Sequence, residues 1–147
     1  MKDFYLSTGQ SVSFSKTVSE SDVYLFAGIT GDLAPVHVNQ ELMEQSAYGQ
    51  RIAHGALLVG FMSTLSTLMV AQAEDAHSKG ETPVALGYDR IRFTGPVFFG
   101  DTITSTYTIT EVDTVRRRTT AEIEARNQRG EVVAVATGLL KWVKKDR

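Results

Sequence analysis

Between Gly55 and Ala73 the chain carries no charged residue, and this run limits the fold more than any other feature. It is nearly as long as the ~20 residues that a membrane span requires. Ser63, Thr64, Ser66 and Thr67 interrupt it, as do Gly55 and Gly60, and most of the remaining chain alternates like strands bathed in water. The expectation is therefore a helix enclosed on most sides by protein rather than a span. A single helix of that kind is best enclosed by a sheet that curves around it.

The flanking sequence supplies such a sheet. Val12, Phe14, Lys16 and Val18 alternate with Ser11, Ser13, Ser15 and Thr17, predicting a first strand. Ser21-Asp22 opens a short helix that Gly28 and Gly31 end. Asp32 to Asn39 reads as a loop around Pro35, and Asn39 caps a second short helix through Ala47, closed by Tyr48-Gly49. From Pro83 the period becomes two: Val84, Leu86 and Tyr88 alternate with Ala85, Gly87 and Asp89 as far as Phe93. Thr102, Thr104, Thr106, Thr108 and Thr110 share one face of the next strand, with Ile103, Tyr107 and Ile109 on the other. Asp113-Thr114 predicts a tight hairpin into Val115–Asn127, where Ala121, Ile123 and Ala125 face inward, and Gln128-Arg129-Gly130 turns the chain again. Glu131–Val143 is apolar on both parities, as expected of a central strand covered on both faces. Strand, short helices, one long apolar helix and about four antiparallel strands make an α+β chain with a curved sheet wrapped around a central helix, the hot-dog arrangement.

Length and composition narrow the rest. At 147 residues the chain is close to the ~150 of a single domain, so one domain over 1–147 is expected. Fifteen Lys+Arg against seventeen Asp+Glu give a net charge of −2, without the basic excess of a nucleic-acid-binding domain. The absence of cysteine excludes disulfides, thiolate nucleophiles, zinc ribbons and iron–sulfur clusters, and fits a reducing cytoplasm. The first residues, Met1-Lys2-Asp3-Phe4-Tyr5-Leu6-Ser7, lack the apolar core of a secretory signal, so no export is expected.

Any chemistry must then use oxygen or imidazole, and the densest candidates lie in Gly31-Asp32-Leu33-Ala34-Pro35-Val36-His37-Val38-Asn39. A carboxylate and an imidazole five residues apart in a proline-bent loop can face one cleft, whereas a regular helix would set them more than a turn apart. Taken alone, such a pair is more often an Asx-type turn and a surface histidine. Wider context raises its weight. Phe26-Ala27-Gly28-Ile29-Thr30-Gly31-Asp32-Leu33-Ala34-Pro35-Val36-His37 resembles the hydratase-2 signature of the MaoC-like (R)-specific enoyl-CoA hydratases, Ser/Thr-Gly-Asp-x-Asn-Pro-Ile/Leu/Val-His. Arg51-Ile52-Ala53-His54-Gly55-Ala56-Leu57 resembles the family's Ile/Val-Ala/Val-His-Gly segment at the start of the hot-dog helix. Phe93-Thr94-Gly95-Pro96-Val97-Phe98-Phe99-Gly100-Asp101-Thr102 is similar to its Phe-x-x-Pro-Val-x-x-Gly-Asp turn. The chain departs at Ala34, where the signature has Asn, which keeps a non-hydratase role open.

The resemblance implies that Asp32 and His37 share one water and act on trans-2-enoyl-CoA, giving an (R)-3-hydroxyacyl-CoA with neither metal nor other cofactor. Hydration of a conjugated thioester needs a base for water, an acid for the α-carbon and a donor for charge on the thioester oxygen. The amide of Gly55, at the positive end of the apolar helix, is the candidate donor; a plain turn is the alternative. Acyl-CoA is the expected partner, and a sheet with bare edges implies a homodimer or larger assembly, with no nucleic acid and no membrane. Two further readings share the fold: thioester binding without turnover, and a thioesterase, which the absence of Asp or Glu from Gly55–Ala73 disfavours. His54 reads as a packed or turn-stabilising residue, and His77 beside Asp75 and Lys79 as a solvated one. Arg116, Arg117 and Arg118 read as a solvated hairpin, with CoA phosphates as the sharper alternative; Arg51, Arg90 and Arg92 are similar. Phe61, Met62, Leu65 and Met69 read as core, with an acyl tunnel as the alternative.

Overall fold

A computed structural model describes residues 4–73 and 76–145; Met1, Lys2, Asp3 and Asp75 lie outside the described residues. The chain runs β1 (Ser11–Thr17), α1 (Glu20–Thr30), α2 (Pro35–Val38), α3 (Gln40–Glu44), α4 (Gly55–Ala71), a 3-10 turn (His77–Lys79), β2 (Glu81–Phe93), β3 (Thr102–Asp113), β4 (Arg118–Arg126) and β5 (Val132–Lys144). The five strands form one antiparallel sheet in the order β1-β3-β4-β5-β2. Helix α4 lies on its concave face, where Leu58, Phe61, Met62, Leu65 and Met69 join the inward residues of β3, β4 and β5 in one core. This is the α+β hot-dog arrangement, and among the described residues no helix is long and apolar enough to cross a membrane.

The period-two pattern translates directly into β3 and β4. Ile103, Tyr107 and Ile109, with Ala121, Ile123 and Ala125, are buried. The hydroxyls on the other face of β3 are stitched to β1, with Ser11–Thr108 at 2.9 Å and Ser15–Thr104 and Thr17–Thr102 at 2.7 Å. Gly138 on β5 keeps room for the Tyr107 ring: a Cβ there would stand 2.7 Å from its Cε2.

Several boundaries differ from the sequence expectation. Helix α1 is capped by Ser19, whose hydroxyl accepts from Asp22 N while the Asp22 carboxylate accepts from Ser19 N, and it runs through Gly28 to a left-handed Gly31. The predicted loop around Pro35 contains one helical turn, because proline at the first helical position has the required φ and no N–H to waste. Helix α3 has the expected Asn39 cap but ends at Glu44, short of Ala47. Strand β4 begins at Arg118, since Arg117 sits in the turn at φ 57. Strand β5 is interior but covered fully on one face only, with Val132 and Val135 half-buried. On the edge strand β2, two register shifts break the alternation and leave Val84 and Leu86 exposed.

The arginine hairpin is also more than solvated. Arg117 folds back onto the buried Glu81, with Nε donating to Oε1 at 2.9 Å and Nη2 to Oε2, while Tyr5 Oη donates to Oε2 at 2.6 Å. Its guanidinium lies 4.8 Å from the Phe4 ring centre. Arg117 holds the Glu81 carboxyl below its usual range. Arg116 pairs at the surface with Asp113.

Candidate active site

The site is assembled from two crossovers that meet at the start of α4. The first is the segment after α1, where Gly31 adopts φ 80 and sends Asp32 outward. Asp32 Oδ1 accepts from Ala34 N at 3.3 Å, the local Asx bond expected of an Asp before such a turn. Helix α2 then carries His37 inward, where it is buried. The second crossover is Ile52-Ala53-His54, held to the Phe93–Asp101 turn by Ala53 N to Val97 O at 2.7 Å and by an Ile52–Phe98 bridge. That turn is fixed in its own right, because buried Asp101 accepts from Phe98 N at 2.9 Å and from Gln128 Nε2 at 2.7 Å.

The second crossover organises the first. Ile52 N donates to Val36 O at 3.0 Å, and His37 lies 2.7 Å through Nδ1 from Ile52 O. Since a carbonyl only accepts, Nδ1 carries the hydrogen, and neutral His37 presents a bare Nε2. One carboxylate oxygen of Asp32 and one ring nitrogen each of His37 and His54 lie within 4.8 Å of one another. Two such atoms can share a water at about 2.8 Å from each. The His37 and His54 rings stack at 3.7 Å and 27°.

Beside the pair opens a cavity of about 400 Å³ lined by His37, Gly55, Leu58, Tyr48, Phe93 and Pro96 among others. Asp32 stands exposed outside its wall. Helix α4 begins without a side-chain cap, and the Gly55 N–H finds no acceptor among the described residues. An added Cβ at Gly55 would stand 2.5–2.7 Å from three atoms of the Phe93 ring. The glycine is therefore required by its packing against Phe93, a contact the sequence did not announce.

His54 is packed and bonded to the turn after α1, as the sequence reading expects. It is nearly fully buried, with Nε2 at 2.9 Å from the Asp32 main-chain oxygen and, among the described residues, Nδ1 without a partner. Its signals in the sequence are its place immediately before an uncharged helix and in the Ile52-Ala53-His54-Gly55 segment. Arg51 ties α1 to α3. It bonds Glu20 Oε1 (2.9 Å), Tyr24 Oη (2.7 Å) and Gln40 Oε1 (2.8 Å), and it lies over the Phe99 ring. Arg90 and Arg92 are exposed on β2, and His77 is exposed in the 3-10 turn.

Known proteins share both sequence and fold. The chain is 41% identical over 104 residues to an (R)-specific enoyl-CoA hydratase of Rhodospirillum rubrum, covering 69% of this chain and 65% of that protein; it thus matches just under two thirds of that relative's length. It is 30% identical over 142 residues to a 3-hydroxybutyryl-CoA dehydratase of Methylorubrum extorquens, covering 96% of this chain and 83% of the relative. An (R)-hydratase from A. caviae involved in PHA biosynthesis superposes with a TM-score of 0.81 at 25% identity, covering 92% and 96% of the two chains. The MaoC like domain model matches residues 4–132, which includes both crossovers, the start of α4 and the Phe93–Asp101 turn. With that match across most of its length, the chain belongs to the MaoC-like dehydratase family.

Proposed function

We propose that this chain, as one domain over residues 1–147, is a cytoplasmic enoyl-CoA hydratase that reversibly converts trans-2-enoyl-CoA to (R)-3-hydroxyacyl-CoA without a metal or redox cofactor. The observation that supports the reading is that a carboxylate oxygen of Asp32 and a ring nitrogen of His37 lie within 4.8 Å of one another beside a cavity that His37 and Gly55 line. A water between the Asp32 carboxylate and His37 Nε2 donates a hydrogen to each, which leaves an oxygen lone pair free for the substrate. As that oxygen bonds to C3, the pair removes one proton, and the C2=C3 electrons move onto the thioester oxygen beside the Gly55 N–H and the positive end of α4. Return of a proton to C2 completes addition of H and OH with no net proton change. In reverse the same groups eliminate water.

The assembly follows from the sheet. β1 and β2 are its edges, and β2 exposes Val84, Leu86 and Phe93. Pairing with a second copy would cover them, so a homodimer is the smallest working unit proposed. Crotonyl-CoA and longer homologues, followed at the enoyl-thioester absorbance band with free thiol measured in parallel, test the reaction. Loss of the band without thiol is the expected result. Thiol release would establish hydrolysis instead, and tight binding of acyl-CoA with neither change would establish a binding protein.

A further inference from the structure

Residues 31–34 carry the candidate carboxylate on a short exposed segment whose own hydrogen bonds are local and long. Leu33 N reaches Gly31 O at 3.1 Å, Asp32 N reaches Thr30 Oγ1 at 3.2 Å, and Ala34 N reaches Asp32 Oδ1 at 3.3 Å. Ala34 adds no polar side chain. Among the described residues, one hydrogen bond ties this segment to a part of the chain distant in sequence: His54 Nε2 to Asp32 O, at 2.9 Å. Since the carbonyl is the acceptor, Nε2 holds the hydrogen, and among the described residues the buried Nδ1 finds no partner. A buried polar atom left unpaired destabilises the fold. An apolar ring would avoid that cost, so packing alone does not account for histidine here.

The same ring stacks on His37, centroids 3.7 Å apart, and the Phe26 ring packs on it, tilted, at 4.7 Å. His54 thus touches the carboxylate's main chain through its edge and the imidazole through its face, while its backbone opens α4 next to Gly55. We propose that His54 is the positioning residue of the site, fixing Asp32 relative to His37 through the Nε2–H bond to the Asp32 carbonyl and the ring stack. The proposal rests on the hydratase reading for its kinetic part only.

Four variants separate bond, stack and packing. His54→Phe keeps the stacking face and deletes both the donor and the orphaned nitrogen. His54→Gln carries an amide donor to about the Nε2 position, whereas His54→Asn carries a similar amide too short to reach; His54→Ala removes everything. With crotonyl-CoA as probe, kcat is expected to fall roughly 10- to 100-fold in the Phe, Asn and Ala variants, the size of loss a misplaced group causes, with KM within about twofold. His54→Gln recovers much of it. In parallel, amide ¹⁵N order parameters of Asp32, Leu33 and Ala34 should drop from the rigid level of about 0.85 towards 0.6 in the Phe and Asn variants and return in the Gln variant. If His54→Phe does not fold, the Gln–Asn contrast carries the test. The proposal is overturned if folded donor-less variants keep rigid order parameters, or if they loosen while an active parent loses no kcat. A parent inactive on every enoyl-thioester would remove the hydratase reading, and the order parameters alone would then decide the positioning role.

Discussion

Asp32 and His37 sit in opposite surroundings, one exposed and tethered by a 3.3 Å local bond, the other buried and clamped at 2.7 Å to Ile52 O. Removing either proton-handling group should cost at least about 10²-fold in turnover, measured as kcat for Asp32→Asn and His37→Ala with crotonyl-CoA. The double mutant should fall little further than the worse single one, because in the proposed mechanism both act on one water. Full activity in either folded single mutant would remove the mechanism. Gly55 calls for a different experiment. Its Cα faces the Phe93 ring, so Gly55→Ala must displace a half-exposed aromatic before any substrate is met. The substitution should destabilise wild-type protein more than it does Phe93→Ala protein, with a coupling of about 1 kcal/mol in a thermal-unfolding cycle. Strict additivity would mean that the ring does not rest there in solution.

Elements place these residues. Helix α1 matters because its left-handed end at Gly31 launches Asp32, and its start is held by the reciprocal Ser19–Asp22 bonds. Ser19→Ala should cost about 1 kcal/mol, read as a lowered unfolding midpoint in urea, with kcat unchanged. At the far end of the sheet, Glu81 joins β2 to the β3–β4 turn through Arg117 and to the amino-terminal segment through Tyr5. Its carboxyl is held below the usual range by Arg117, so the folded form binds a proton less readily than the unfolded chain. The stability this contributes is present above the ordinary glutamate value of about 4.3 and is lost as pH falls below it towards the lowered folded value. Glu81→Gln should flatten that acid limb in a series of unfolding curves between about pH 3 and 6. It should also cost about 3 kcal/mol at neutral pH, near the lower end for breaking a buried pair, since Arg117 remains partly solvated. An unchanged acid limb would show the network to be open in solution.

The whole molecule leaves two edges of its sheet bare, and β2 is the apolar one. Light scattering at micromolar concentration should give near twice the chain mass of 16.1 kDa or more, and Leu86→Lys with Val84→Lys should shift it towards the single chain. A monomer with undiminished activity would count against the assembly. At this scale the division between sequence and tertiary structure is plain. Alternation in β3 and β4, the Asn39 cap, the long uncharged helix and the Gly31–His37 motif were legible because each is a local pattern: period, cap chemistry, a run without charge. Those patterns are enough to dictate a helix inside a curved sheet, whereas Asp32, His37 and Gly55 are nominated by the family resemblance of the motifs that hold them. Local pattern carries no information about which distant groups meet. That Arg117 turns inward onto Glu81, that Phe93 lies on Gly55, and that His54 stacks on His37 while holding the Asp32 carbonyl were decided only by the packing of segments far apart in the sequence. The same holds for β2, whose register slips depend on its pairing with β5 and not on its own alternation. Sequence thus determined the elements and nominated the candidate groups, and tertiary contact determined their positions, because position is fixed by hydrogen bonds and ring contacts that span the fold.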